Sequence, residues 1–174
     1  MPTHHPIGNR VIILGCPGSG KSTFAGALHA RTGLPLIHLD NLWWRPDRTH
    51  ITREAFDKAL EALLRGERWI IDGDYSRTYE VRVRACDTIV FLDLPEAECL
   101  RGISARVGKT RADMPWVDET LDPELTDLVR RYRRENRPAV YALLAQYPQK
   151  QALVFTTRAQ ADAWLGRTFD MGEI

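Results

Sequence analysis

Short apolar runs alternate with stretches of helical period along the chain. Residues 10–14, 36–39, 69–71, 88–92 and 153–156 are apolar at successive positions, as expected for strands covered on both faces. Their alternation with helical patterns predicts βαβ units and a parallel sheet. Residues 21–31 read as a helix closed by Gly33. Thr52 is placed to cap a second helix, whose Ala55, Phe56, Ala59, Leu60, Leu63 and Leu64 share one face before Gly66 ends it. Residues 95–107 carry Ala97, Leu100, Ile103, Ser104 and Val107 at helical spacing. Pro123 opens a longer helical stretch that Pro138 should kink or break. Residues 108–122 have no period and predict either a mobile lid hinged at Gly108 or an ordinary surface loop. The expectation is one three-layer α/β domain over residues 1–174.

Composition narrows the class. The chain has 174 residues, of which 44% are hydrophobic and 27% charged, which disfavours disorder and a disulfide scaffold. A formal net charge of +1 argues against attraction to nucleic acid or to an anionic membrane, so no direct nucleic-acid binding is expected. Cys16, Cys86 and Cys99 form no paired framework. The first ten residues lack the apolar core of a signal peptide, and no run approaches a membrane span. A cytoplasmic protein, a monomer by default, is the expectation.

The strongest chemical signal is GCPGSGKS at residues 15–22, which fits GxxxxGK[ST] between a predicted strand and a predicted helix. Glycines at 15, 18 and 20 let the backbone curl until its N–H groups converge on phosphate oxygens, and the following helix presents its positive end. Gly15, Pro17, Gly18, Ser19, Gly20, Lys21, Ser22 and Thr23 are therefore candidate contacts to the phosphates of a nucleotide. Lys21 is expected on the β and γ oxygens, and Ser22 on Mg²⁺. Mg²⁺ needs a second, water-mediated anchor at a strand end; Asp72 is favoured over Asp93. Cys16 and Pro17 otherwise read as loop fillers, with redox sensitivity of Cys16 as the alternative.

The phosphate loop, LDNLWWRPD at 39–47, WIIDGDYSR at 69–77, TIVFLDLP at 88–95 and the arginine-bearing stretch after it together resemble the topology modulation, or FlaR-like, proteins within the adenylate-kinase-like P-loop kinases. The resemblance spans nearly the whole chain and implies a parallel five-stranded sheet of order 2-3-1-4-5 with helices on both faces. It also implies ATP with Mg²⁺, and a short lid around 106–122 whose arginines cover the phosphates. Arg106, Arg111, Arg133 and Arg137 are the corresponding choices, within a stretch that also holds seven acids, so most of its arginines must be solvated or paired. Asp72 and Gly73 resemble the DG of nucleoside monophosphate kinases. The sequence then departs from that motif, which leaves open whether Arg77 binds phosphate and whether the acceptor is a nucleotide. The region of Thr156, Thr157 and Arg158 corresponds to the adenine site, with Arg158 the candidate contact.

On the acceptor side, Asp40 is positioned to take a proton from, or orient, a substrate hydroxyl; the alternative is a plain loop or capping carboxylate. Trp43 and Trp44 would either stack on a planar acceptor or cover the core edge. His38 reads as a strand residue, and His4 and His5 lack the supporting ligands of a metal site. Two functions fit: a phosphotransferase moving a phosphoryl group from ATP to a small-molecule acceptor, or an ATP-binding regulatory protein. Only the first requires an acceptor pocket with a base.

Overall fold

The computed structural model describes residues 6–170; His4 and His5 lie outside them. Five strands, β1 (Arg10–Gly15), β2 (Leu36–His38), β3 (Trp69–Asp72), β4 (Thr88–Leu92) and β5 (Gln151–Phe155), form one sheet in the order β2-β3-β1-β4-β5. Every pairing is parallel. The register aligns His38 with Asp72, Ile13 with Asp72, Gly15 with Leu92 and Leu92 with Phe155. All five carboxyl ends thus reach the same edge, where open α/β sheets bind ligands.

The expectation of strands covered on both faces holds for the central three. Val11, Ile12, Ile13, Ile70, Ile71, Val90 and Phe91 are fully buried. The edge strands differ because each has only one neighbour, and β5 exposes Gln151, Ala152 and Val154. Strand β5 starts two residues before its apolar run, because the polar Gln151 side chain accepts from Thr88 Oγ1 and donates to the Pro6 carbonyl. Strand β2 stops at His38, one residue early, because Leu39 already opens a helix.

Helices α1 (Lys21–Thr32), α2 (Leu39–Trp43), α3 (Arg53–Leu64), α4 (Tyr79–Ala85), α5 (Glu96–Ser104), α6 (Pro123–Glu135), α7 (Arg137–Gln146) and α8 (Arg158–Leu165) complete the layers. Thr52 caps α3 by accepting from the Ala55 amide at 3.1 Å, an arrangement typically worth about 1 kcal/mol. Gly33 ends α1 in a left-handed turn. The break expected at Pro138 falls at Asn136, with the proline in the first turn of α7, where its missing N–H costs no helical bond. Helix α5 ends at Ser104, three residues before its predicted limit, and residues 105–122, where a lid is expected, form a non-helical segment. No periodicity predicted α4, since seven residues of alternating apolar and charged side chains show no helical face. Among the described residues no helix is long and apolar enough to cross a membrane.

Candidate active site

The phosphate loop, residues 15–22, turns from β1 into α1. Gly18 has φ +83°, and a Cβ built on it would lie 2.1 Å from the Cys99 carbonyl oxygen, so α5 supports the loop backbone to backbone. Gly102 completes this contact from α5: its own Cβ would meet the Gly18 carbonyl oxygen at 2.0 Å. The carbonyl side of the loop is held by cations. Lys21 Nζ donates to the Gly15 and Cys16 carbonyls at 2.7 and 3.0 Å, and Arg158 donates to those of Gly18 and Ser19 at 2.6 and 3.4 Å. No side chain caps the start of α1, so the first amides of that helix stay open, while the Ser19 amide donates to the Cys16 carbonyl at 3.0 Å. Cys16 is 4% exposed and packs in the loop beside Cys99, whose hydrogen bond, with burial, pushes the Cys16 thiol up.

The neighbouring strand ends supply carboxylates. His38 Nδ1 and Asp72 Oδ1 are 2.8 Å apart. Burial works against protonation of His38, but the Asp72 hydrogen bond and charge outweigh it and raise the imidazole pKa. Asp72 Oδ2 is buried and has no hydrogen-bond partner; Ser19 Oγ is likewise unpartnered. Asp93 is buried under a two-pronged ion pair, with Arg137 donating to both carboxylate oxygens at 2.8 and 2.9 Å and Tyr141 adding a bond at 2.7 Å. Burial alone would push the Asp93 carboxyl up, but Arg137 and Tyr141 hold it below the ordinary range. Of the two candidates for a metal anchor, only Asp72 therefore has an unsatisfied oxygen.

Asp40 lies in the first turn of α2 and accepts from the Tyr75 hydroxyl at 2.7 Å. Burial pushes its carboxyl up; Tyr75 and Lys21 oppose that push, while the charges of Asp113 and Asp72 add to it. Tyr75 has φ 38°, a left-handed backbone uncommon for a bulky side chain. The 73–75 turn is held by Arg82, which is fully buried, donates to Gly73 O at 2.9 Å and Tyr75 O at 3.4 Å, and bonds Asp74 O closely. Asp74 accepts from Tyr132, Asn136 and, closely, Tyr79, tying the same turn to α6.

The lid segment lies over this edge. Ser22 Oγ donates to Asp113 Oδ2 at 2.9 Å, and Asn41 Nδ2 donates to the Ala112 carbonyl at 2.7 Å. Trp116 meets Trp44 edge to face at 5.4 Å. Arg111 lies 3.8 Å from Asp113 and 3.7 Å from Asp118. Burial lowers the Arg106 pKa.

Two cavities, of about 460 and 440 Å³, meet at Ser22, Arg106, Arg111 and Asp113. Pro17, Lys21, Asp40 and Asp72 line the first; Gly20, Thr23 and Arg158 line the second. Gly15, Gly18 and Ser19 shape the loop beneath. The fold thus gathers most of the expected residues, with two exceptions. Arg133 is exposed on α6 and lines neither cavity, and Arg137 is committed to Asp93. Arg77 also points elsewhere, into an exposed pair with Asp57 at 2.7 Å. Asp113, Arg82, Asp74 and Gly102 were not anticipated. The lid has no period to place Asp113, and Arg82 is one arginine among many.

The site's own chemistry fits ATP and Mg²⁺. Open amides at the start of α1, a hydroxyl at Ser22 and the orphaned Asp72 Oδ2 are the donor set such a group needs, and Mg²⁺ commonly takes few protein ligands besides phosphate oxygens and water. Among the described residues no group of three or more His, Cys, Asp or Glu could hold a metal by itself.

A parallel sheet of this order with a phosphate loop after its central strand is the fold of the P-loop kinases. Similar solved structures include a shikimate kinase from Bacteroides thetaiotaomicron (TM-score 0.58, 19% identity, 95% of this chain and 98% of that one). A shikimate kinase from Acinetobacter baumannii in complex with shikimate is similar (0.58, 16%, 95% and 96%), as is an unliganded sugar kinase from Janibacter sp. HTCC2649 (0.54, 18%, 95% and 96%). No family model and no curated protein matches the chain.

Proposed function

We propose that this protein is an ATP-dependent phosphotransferase acting on a hydroxyl of a small molecule. The observation that carries the reading is the meeting of the phosphate loop, the orphaned Asp72 oxygen and the half-buried Asp40 at one cavity wall. Kinase-fold neighbours support it at the level of fold.

The loop amides and Lys21 bind and orient the phosphates; Ser22 and Asp72 are the residues that would hold Mg²⁺, which would neutralise phosphoryl charge when bound. Asp40 acts as general base: as the acceptor oxygen bonds to the γ-phosphorus and the bond from that phosphorus to the bridging oxygen breaks, the hydroxyl proton passes to the Asp40 carboxylate. A carboxylate raised by burial is better matched to that task than a solvated one, and Tyr75 fixes its orientation through one oxygen. Arg106 and Arg111 stabilise the transferring group from the lid. Arg137 and Arg133 have no place on either cavity wall: Arg137 ties α7 to Asp93, and Arg133 is an exposed residue of α6.

The test is a phosphoryl-transfer screen with labelled ATP over small alcohols, nucleosides and nucleotides, followed by Asp40→Asn. With a hydroxyl acceptor, turnover should fall by about 10²- to 10⁴-fold while the Kd for ATP changes little. An ATP-binding regulator would instead keep its basal ATP hydrolysis in that variant. The same variant remaining fully active on a hydroxyl acceptor would remove Asp40 as base.

A further inference from the structure

The distribution of charge around the larger cavity points to a substrate class, on the assumption that the phosphotransferase reading holds. Six carboxylates line it, from Asp40, Asp72, Asp74, Asp113, Asp118 and Asp122, against three cations, Lys21, Arg106 and Arg111. All three cations belong to the phosphate end, as does Asp113, which lines both cavities and accepts from Ser22. Asp118 is paired with Arg111 at 3.7 Å, so Asp40, Asp74 and Asp122 carry the acceptor-side negative charge beside the Asp72 metal anchor. Lys21 rests on the phosphate loop, and Arg106 and Arg111 are shared with the second cavity, the side bearing Thr23 and Arg158.

Among the described residues the acceptor half has no cation of its own. Three arginines lie between β3 and β4, where a negatively charged acceptor would be met, and all are engaged elsewhere, Arg84 in an exposed pair with Glu80 at 3.0 Å. Arg77 is turned outward onto Asp57, and Arg82 is sealed beneath the 73–75 turn on its carbonyls. Arg48 lies over the Trp116 ring, 5.6 Å from its centroid, and lines no part of the cavity. A carboxylate or phosphate ester entering here would lose its hydration without gaining a partner and would face like charges, which is the costly way to bury an anion.

What the acceptor half does offer is aromatic surface and hydrogen-bond acceptors. Trp43, Trp44, Trp116 and Tyr75 line it, with Trp43 backed by His50, stacked at 4.4 Å, and by Phe56, edge to face at 5.6 Å. Flat, supported rings suit the C–H faces of a saturated ring, and carboxylates accept strongly from hydroxyls. We infer that the acceptor is an uncharged, polyhydroxylated ring compound, and that the site discriminates against acceptors carrying a carboxylate or a phosphate.

The experiment is a tryptophan-fluorescence titration in the presence of Mg²⁺ and a non-hydrolysable ATP analogue, so that it reads binding rather than turnover. Pairs that share a ring and differ at C6 serve as probes: phenyl glucoside against phenyl glucuronide, and glucose against glucose 6-phosphate. The uncharged member should bind about tenfold tighter, a difference of about 1.4 kcal/mol. Asp118→Asn combined with Asp122→Asn should narrow that gap. Because Asp118 also pairs with Arg111 at 3.7 Å, Asp122→Asn alone is measured beside the double variant and should narrow the gap in the same direction. The hydrogen-bonding roles of both residues are kept. The amide oxygen introduced in place of the Asp118 carboxylate still accepts from Trp116 Nε1, and asparagine caps a helix as well as the aspartate that now starts α6. Equal or tighter binding of the anionic members overturns the proposal, as does failure of a panel of uncharged ring polyols to bind protein that binds the nucleotide. Failure to bind the nucleotide at all overturns the phosphotransferase reading instead.

Discussion

Lys21 and Asp93 show how two buried charges in one protein take opposite assignments. The Lys21 ammonium, 9% exposed, bonds carbonyls of its own loop and also lines the larger of the two cavities. Charge-assisted hydrogen bonds are worth about 1.5–3 kcal/mol, so Lys21→Ala should weaken ATP binding by about 10- to 100-fold in calorimetric titration while the fold stays intact. Asp93 has its oxygens filled by Arg137 and Tyr141, which makes it an anchor for α7. Asp93→Asn is expected to cost about 1–3 kcal/mol of stability at neutral pH and to spare metal-dependent activity, whereas Asp72→Asn should lose that activity. The sign of the pH effect follows from the direction of the shift. The folded-state pKa of Asp93 is depressed, so its contribution is present above the ordinary value of 3.8 and is lost as pH falls through the depressed one. Urea midpoints of wild type and Asp93→Asn should therefore converge in strong acid; a constant gap down to about pH 2 would show that the ion pair is not what Asp93 contributes.

Between elements, the contact of α5 with the phosphate loop is the tightest feature of the site. Gly18 and Gly102 pack backbone against backbone, and a methyl group on either has nowhere to go. Gly102 sits in a helix, where alanine is otherwise the better residue by about 1 kcal/mol, so propensity and packing predict opposite outcomes for Gly102→Ala. A built Cβ at 2.0 Å from a backbone oxygen decides the matter, because overpacking against main chain forces the loop to move. The variant is expected to unfold at lower temperature and to bind ATP more weakly. A higher melting temperature with unchanged binding would show that α5 can yield.

The lid joins parts of the chain far apart in sequence. Asp113 bonds Ser22, Ala112 bonds Asn41, and Trp116 packs on Trp44, so one irregular segment touches both the phosphate loop and the α2 region that lines the acceptor cavity. These contacts are few and partly exposed, and nucleotide phosphates would add charge-assisted partners for Arg106 and Arg111. Differential binding of that kind shifts a segment toward its closed arrangement. Hydrogen exchange over residues 108–122 should slow on adding a non-hydrolysable ATP analogue, and Trp116→Ala should speed exchange there while leaving the sheet unchanged. Identical protection with and without nucleotide would count against a nucleotide-driven lid.

Strand positions, the phosphate loop, the Thr52 cap and the helix break near Pro138 were legible in the sequence because each depends on residues within a few positions of one another. Sheet order came from the resemblance to a known family, and the pairing of the strands agrees with it. The fates of the arginines were not legible. Arg77, Arg82, Arg106, Arg111 and Arg137 look alike in a string of letters, yet one faces solvent with Asp57, one is buried on carbonyls, two line the cavities and one is held by Asp93. Asp74 and Asp113 were hidden for the same reason: their hydrogen-bond partners lie 58 to 91 residues away, apart from the nearby Tyr79. A long polar side chain carries no local signature of its partner, so its role is settled only when the packing of the sheet and helices decides which charges are brought out of water together.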